Sequence, residues 1–139
     1  MTADVGTAVV AEGIHPLIEE QPSDETIDAG SSAMLKSNAS PAVTYQWYLV
    51  TSQSTTAIKG ATSNTYDTGP LTETTSYLVR IATADCATDS RTATVFVRPP
   101  APATVTATAM SSSSVAVSWA PVADAVSYEI YRSSDGGPF

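Results

Sequence analysis

The sequence is short of the residue types that most site chemistry needs. It holds one histidine and one cysteine in 139 residues. A single cysteine rules out a disulfide within the chain, and one histidine with one cysteine argues against a zinc centre, which takes four protein ligands when structural and three when catalytic. A hydrolytic triad needs a nucleophile, a base and an orienting acid. The only imidazole, His15, stands in a leader ahead of an expected edge strand, a poor place for a catalytic base. Six Lys and Arg against fourteen acids give a net charge of −8. Scattered cations of that number do not neutralise a phosphate backbone, so nucleic acid is not expected as a partner. No apolar run approaches the ~18 residues of a membrane span, and residues 1–13 lack the basic start and apolar stretch of a secretory signal. Nothing in the pattern calls for a cofactor, and helical periodicity is nearly missing.

What the chain does have is alternation. Segments rich in Val, Thr and Tyr recur with period two between turn signals, at the spacing of an all-β sandwich. Pro16 to Glu20 is expected as an edge strand, its proline and acids discouraging pairing with other chains. After a turn at Asp28–Ser31, Ser32 to Asn38 places Ala33, Leu35 and Ser37 on one face and Met34, Lys36 and Asn38 on the other. Thr44 to Val50 sets Tyr45, Trp47 and Leu49 on one face, where aromatic rings of about 150–250 Å² each carry much of a small core. Ser52 to Ala57 is expected as a polar crossing and Lys59–Thr62 as a turn. Asn64 to Thr68 is a short strand, and Gly69-Pro70-Leu71 bends the chain into Ser76 to Thr83, whose Tyr77, Val79 and Ile81 are expected inward. Thr92 to Val97 closes the region. Pro99-Pro100-Ala101-Pro102 is then a stiff linker, because prolines fix the backbone and donate no ladder bonds.

Beyond the linker, Thr104 to Met110, Ser113 to Trp119 and Ser127 to Arg132 are strand candidates, followed by a turn at Asp135-Gly136-Gly137-Pro138. A sheet region lacking its return strands is unfinished, which predicts that the sequence is cut from a longer protein. The expected division is 1–13 as a leader or the end of an upstream element, 14–99 as one sandwich and 100–139 as part of a second. The charge follows it: residues 1–28 hold seven acids and no Lys or Arg, whereas 29–99 hold four acids and five bases. Acidity on this scale is expected to protect an edge and a leader.

Residues 16–98 resemble a bacterial immunoglobulin-like domain. The resemblance is carried by Gln21-Pro22-Ser23 ahead of Gly30, Thr44-Tyr45-Gln46-Trp47-Tyr48, Ile58-Lys59-Gly60-Ala61-Thr62, Leu71-Thr72 through Thr75-Ser76-Tyr77, and Asp89-Ser90 through Thr94-Val95. It implies that Trp47 is the core tryptophan of strand C and Tyr77 the corner tyrosine before strand F. The two bridge cysteines of antibody domains correspond to Ser37 and Val79, so packing replaces the bridge. Residues 101–139 resemble the first strands of a fibronectin type III domain, through Pro102-Ala103, Val115-Ala116-Val117-Ser118-Trp119 and Tyr128-Glu129-Ile130-Tyr131-Arg132. The fold expected is therefore all-β: an immunoglobulin-like antiparallel β-sandwich followed by a truncated fibronectin type III sandwich. Leu35, Trp47, Tyr77, Val79, Trp119 and Tyr128 are its structural core.

The resemblance implies a non-catalytic spacer or adhesion module of a larger bacterial secreted or cell-surface protein. Its expected partners are other domains of the same chain, and a cell-surface protein or polysaccharide. The competing reading is a carbohydrate-binding accessory module of a secreted hydrolase, with Tyr48 and Tyr66 as an aromatic platform. Cross-strand pairing of those rings is the plainer alternative. Asp85 with Asp89, and Asp24 with Glu25 and Asp28, are the acids to consider for calcium, but no run places ligands at alternate positions. Adjacent Glu19 and Glu20 point to opposite faces of a strand and so make no glycosidase pair. A lysine–asparagine crosslink needs a buried lysine; Lys36 is expected outward and Lys59 in a turn. Asn38-Ala39-Ser40 matches a glycosylation acceptor, a pattern frequent by chance. Cys86 is expected to be an idle loop thiol.

Overall fold

The computed structural model describes residues 13–41 and 43–132. The expected leader strand around Val9-Val10 and the turn at Asp135–Pro138 lie outside the described residues. The chain divides into two compact units between Val97 and Arg98. Among the described residues every regular element is a strand: β1 Leu17–Glu20, β2 Glu25–Asp28, β3 Met34–Lys36, β4 Asn38–Ser40, β5 Thr44–Val50, β6 Thr55–Ala57, β7 Thr65–Asp67, β8 Thr75–Ala82, β9 Ala87–Asp89, β10 Ala93–Arg98, β11 Val105–Ala109 and β12 Val115–Trp119.

In the first unit a six-stranded sheet runs β2-β10-β8-β5-β6, with β9 paired to β8 next to β10. Its spine is β5 against β8, antiparallel from Thr44↔Ala82 to Val50↔Ser76. Opposite it lie β1 with β4 and β3 with β7. The period-two pattern places each inward set. Trp47, Tyr77, Val79, Ile81, Ala93 and Val95 come from the large sheet and Ala33 and Leu35 from the other layer, all buried in one cluster. Burial of the Ala93 and Val95 face leaves Phe96 exposed.

The single strand expected over Ser32–Asn38 is two, because Ser37 interrupts it. Its hydroxyl donates to the Glu20 carbonyl at 2.8 Å and its N–H to the Asn64 carbonyl at 2.9 Å, so β3 turns to β7 and β4 to β1. Ser37 and Val79, the positions matched to bridge cysteines, are both fully buried. The polar crossing contains a strand, β6, added to the edge of β5. Two further strands carry no apolar run to announce them. β2 reads Glu-Thr-Ile-Asp and gives only Ile27 to the core margin, and β9 reads Ala-Thr-Asp. Turns sit at glycines in the left-handed region, Gly30 with φ 87° and Gly60 with φ 80°, where a side chain would strain the backbone.

The gap between β9 and β10 is closed by Ser90. Its N–H donates to the Val79 carbonyl at 2.9 Å, and its hydroxyl accepts from the Val79 N–H at 3.0 Å while donating to the Arg91 carbonyl at 2.8 Å. A buried side chain thus supplies the acceptor that a regular ladder would take from backbone, and β8 stays paired along its length.

In the second unit β11 and β12 form an antiparallel pair from Val105↔Trp119 to Ala109↔Val115. Val105, Ala107, Val117 and Trp119 share one face beside Tyr128 and Ile130 and line an open hollow of about 470 Å³. The strand expected over Ser127–Arg132 does not form: among the described residues its backbone finds no ladder partner, and a strand without one leaves its polar groups to water. For the same reason Tyr128 is not a buried core residue. It is 39% exposed, tilted against Trp119 at 5.3 Å between ring centroids.

Candidate functional site

Of the residues put forward as core, Leu35, Trp47, Tyr77 and Val79 lie in the buried cluster and Trp119 is half-buried in the second unit. Trp47 is fully buried, its indole N–H donating to the Ser63 carbonyl at 2.9 Å. Tyr66, expected beside Tyr48 on an outer aromatic platform in the carbohydrate-binding reading, packs against core rings instead. It stacks on Trp47 at 5.8 Å and meets Tyr77 at 5.5 Å, because β7 pairs with β3 and turns the ring toward the core. Burial raises the Tyr66 phenol above its ordinary value, and neighbouring Asp67 adds to the rise. Burial likewise raises Tyr77, followed by the effect of Tyr66, against a hydrogen bond with Thr75 that lowers it.

Tyr48 does face outward, where the register of β5, β8 and β9 gathers the best-defined side-chain cluster on the large sheet. The Arg80 guanidinium sits 5.2 Å over the Tyr48 ring and forms a two-pronged ion pair with Asp89, at 2.7 and 2.8 Å. Hydrogen bonding to Arg80 is the main reason the Asp89 carboxyl is held below the usual carboxylate range; partial burial opposes it. The same bonds raise Arg80. Two strand pairings fix this arrangement, which covers one face of Tyr48 with a cation and leaves that face closed to a stacking sugar ring.

The acids considered for calcium are spread out. Asp89 is committed to Arg80, and the Asp24 carboxylate accepts from the Thr94 N–H at 2.8 Å. Among the described residues no three His, Cys, Asp or Glu side chains gather to hold a metal ion. Lys36 is exposed and pairs with Glu20 at 3.1 Å, which is no setting for a buried crosslink. Asn38 is held by Glu20 through its amide nitrogen, and its amide oxygen accepts from Asn64 at 2.9 Å. Glu19 accepts from the Ser40 hydroxyl at 2.6 Å. His15 and Cys86, separated by 71 positions, stand 3.6 Å apart.

The second and the last strands of the first unit meet in one sheet. β2 lies beside β10, and the flanking contacts advance in step: Gln21 accepts from the Arg91 N–H at 2.9 Å and Asp24 from the Thr94 N–H. Numbers that rise together on both segments mean that they run in the same direction.

With this geometry in hand, the family model described as domain of unknown function (DUF8696) matches residues 20–99. The chain belongs to the DUF8696 family. No curated protein matches it. A solved structure of tandem Ig repeats of Dlar aligns at 15% identity with a TM-score of 0.50, covering 60% of this chain and 46% of that one. The chain thus spans under half the length of that structure. Titin M4 aligns at 14% identity and a TM-score of 0.46, over 60% of this chain and 95% of that chain. A complex of titin M10 with the obscurin-like 1 Ig domain aligns at 23% and 0.46, over 62% and 97%. The DUF8696 chain has an immunoglobulin-like β-sandwich fold. Among its described residues no helix is long and apolar enough to cross a membrane.

Proposed function

We propose that this chain is a non-catalytic spacer or adhesion module of a larger bacterial protein, secreted or displayed at the cell surface, in which the sandwich transmits tension between neighbouring domains. The second unit is the opening part of a fibronectin type III domain, the next bead of the same string. The observation that carries this reading is the parallel placement of β2 and β10, the second and the last strands of the first unit. When the unit is pulled from its two ends, a load that has passed β1 and its pairing with β4 shears β2 and β10 along their length, so their hydrogen bonds are loaded together rather than one by one. Pro99, Pro100 and Pro102 then pass the load on through a stiff connection.

Pulling a tandem array that contains this chain tests the role. Expected is one discrete unfolding step per copy, releasing about 270–300 Å of contour from roughly 82 residues at about 3.3–3.6 Å each. A featureless extension without steps would remove the mechanical role.

A further inference from the structure

β11 and β12 form a ribbon with two unlike faces. In their register Val105 stands opposite Trp119, Ala107 opposite Val117 and Ala109 opposite Val115, whereas the other face pairs Thr106 with Ser118 and Thr108 with Ala116. The same period-two alternation buries Leu35 and Val79 in the first unit. Here the apolar side stays open: Val105 is 58% exposed, Val115 61% and Ile130 65%. A two-stranded ribbon with such a face is marginal in water and gains from any surface that dries it. The face is also held in shape. The Tyr128 hydroxyl accepts from the Val122 N–H at 2.7 Å and its ring leans on Trp119. Glu129, the charged group lining the hollow, accepts from the Tyr131 hydroxyl.

We propose that this face is the contact through which two copies of the chain pair, second unit to second unit, as two ribbons packed face to face about a two-fold axis. The shape and chemistry of the face select that occupant. An added strand pairs at an edge through backbone groups and would leave the apolar face open. The first unit of another copy offers no match. Among its described residues the large exposed apolar side chains are spread out, with Ile14 before β1, Leu17 on β1, Met34 on β3 and Phe96 on β10. A second ribbon brings the same apolar face, and sheets stack with interleaved side chains about 10 Å apart. Two-fold symmetry uses one patch on both copies and closes at the dimer. Taking about 150–250 Å² for an aromatic ring and about 60–120 Å² for a branched aliphatic side chain, the exposed fractions amount to about 300–550 Å² on each copy. The pair buries about 600–1,100 Å², short of the ~1,200 Å² of stable complexes, which makes a weak, reversible dimer with a dissociation constant of roughly 0.1–1 mM. Strands of a longer chain would compete for the same face.

Sedimentation equilibrium of the full chain from about 20 µM to 2 mM spans that range, with a reductant present so that Cys86 cannot link copies. Expected is a monomer–dimer equilibrium that tightens several-fold between about 0.05 and 0.5 M salt, because salt screens the net charge of −8 on each copy. On dilution the amide resonances of Val105, Val117 and Ile130 should shift, and those of Val79 and Val95 should not. Val117→Thr keeps a β-branched side chain but places a hydroxyl in the dry contact, and should weaken pairing about tenfold or more. Thr106→Gln, on the opposite face of the ribbon, should leave it within about twofold. A chain that stays monomeric at the highest concentration, assembly that continues past the dimer, or pairing that Val117→Thr leaves unchanged would overturn the proposal.

Discussion

Replacing Trp47 with alanine removes the largest fully buried side chain of the first unit, and its cost follows from the surroundings. A tryptophan buries about 150–250 Å², and at about 25 cal/mol per Å² its transfer from water is worth roughly 4–6 kcal/mol. Measured truncations of core aromatics fall at about 3–5 kcal/mol, since neighbours relax partly into the space. The hydrogen bond to Ser63 adds little, because Ser63 is exposed and its carbonyl takes water instead. Against a total of about 4–12 kcal/mol for a domain of some 80 residues, Trp47→Ala removes a quarter or more of the stability. Urea unfolding followed by far-ultraviolet circular dichroism is the suitable assay, since the substitution deletes one of only two tryptophans and with it the fluorescence of the core. Trp47→Phe, which keeps a ring against Tyr66, should lose clearly less. If Trp47→Ala moved the transition by no more than a surface substitution, about 0.5 kcal/mol, the core would not be centred on this residue.

Two other outcomes follow from particular contacts. Ser90→Ala leaves the buried Val79 N–H without its acceptor and should cost about 1–3 kcal/mol, measurable by the same urea transition. Asp89 has a folded-state pKa below its unfolded value. The stability it contributes is therefore present above about pH 3.9 and is lost as pH falls through the lower, folded value. Asp89→Asn should flatten that acid limb slightly, with a small effect that fades in high salt because the ion pair is exposed.

Much of this fold is legible in the sequence where side chains alternate strongly. Tyr77, Val79 and Ile81 against Leu78, Arg80 and Ala82 are enough to place β8 and to say which face it buries. Elements that owe their existence to a distant partner are not legible. β2 and β9 are short and polar and form because β10 and β8 offer them ladders, which no local pattern announces. Ser37 belongs to an inward-facing set, but its interruption of the strand depends on the Glu20 carbonyl, 17 residues away. Tyr66 is misplaced for a related reason: a lone ring between Thr65 and Asp67 has no alternation of its own, and its direction comes from pairing with Leu35. In the second unit the alternation of Tyr128 and Ile130 points to a strand, yet alternation alone supplies no partner. The closeness of His15 and Cys86 carries no sequence signal beyond their being the sole residues of their types.

The central claim is that both layers of the first unit form one cooperative sandwich around Trp47, without a covalent bridge and independent of the second unit. Native-state hydrogen exchange on the full chain tests it directly. The amides of Leu35 in one layer and of Val79, Ile81 and Val95 in the other should exchange with a common free energy equal to that of urea unfolding. Those of Ala107 and Val117 should exchange with a much smaller one. Distinct free energies for Leu35 and Val79 would mean that the layers open separately, and equal protection of Val117 and Val79 would mean that the two units unfold as one; either result contradicts the account.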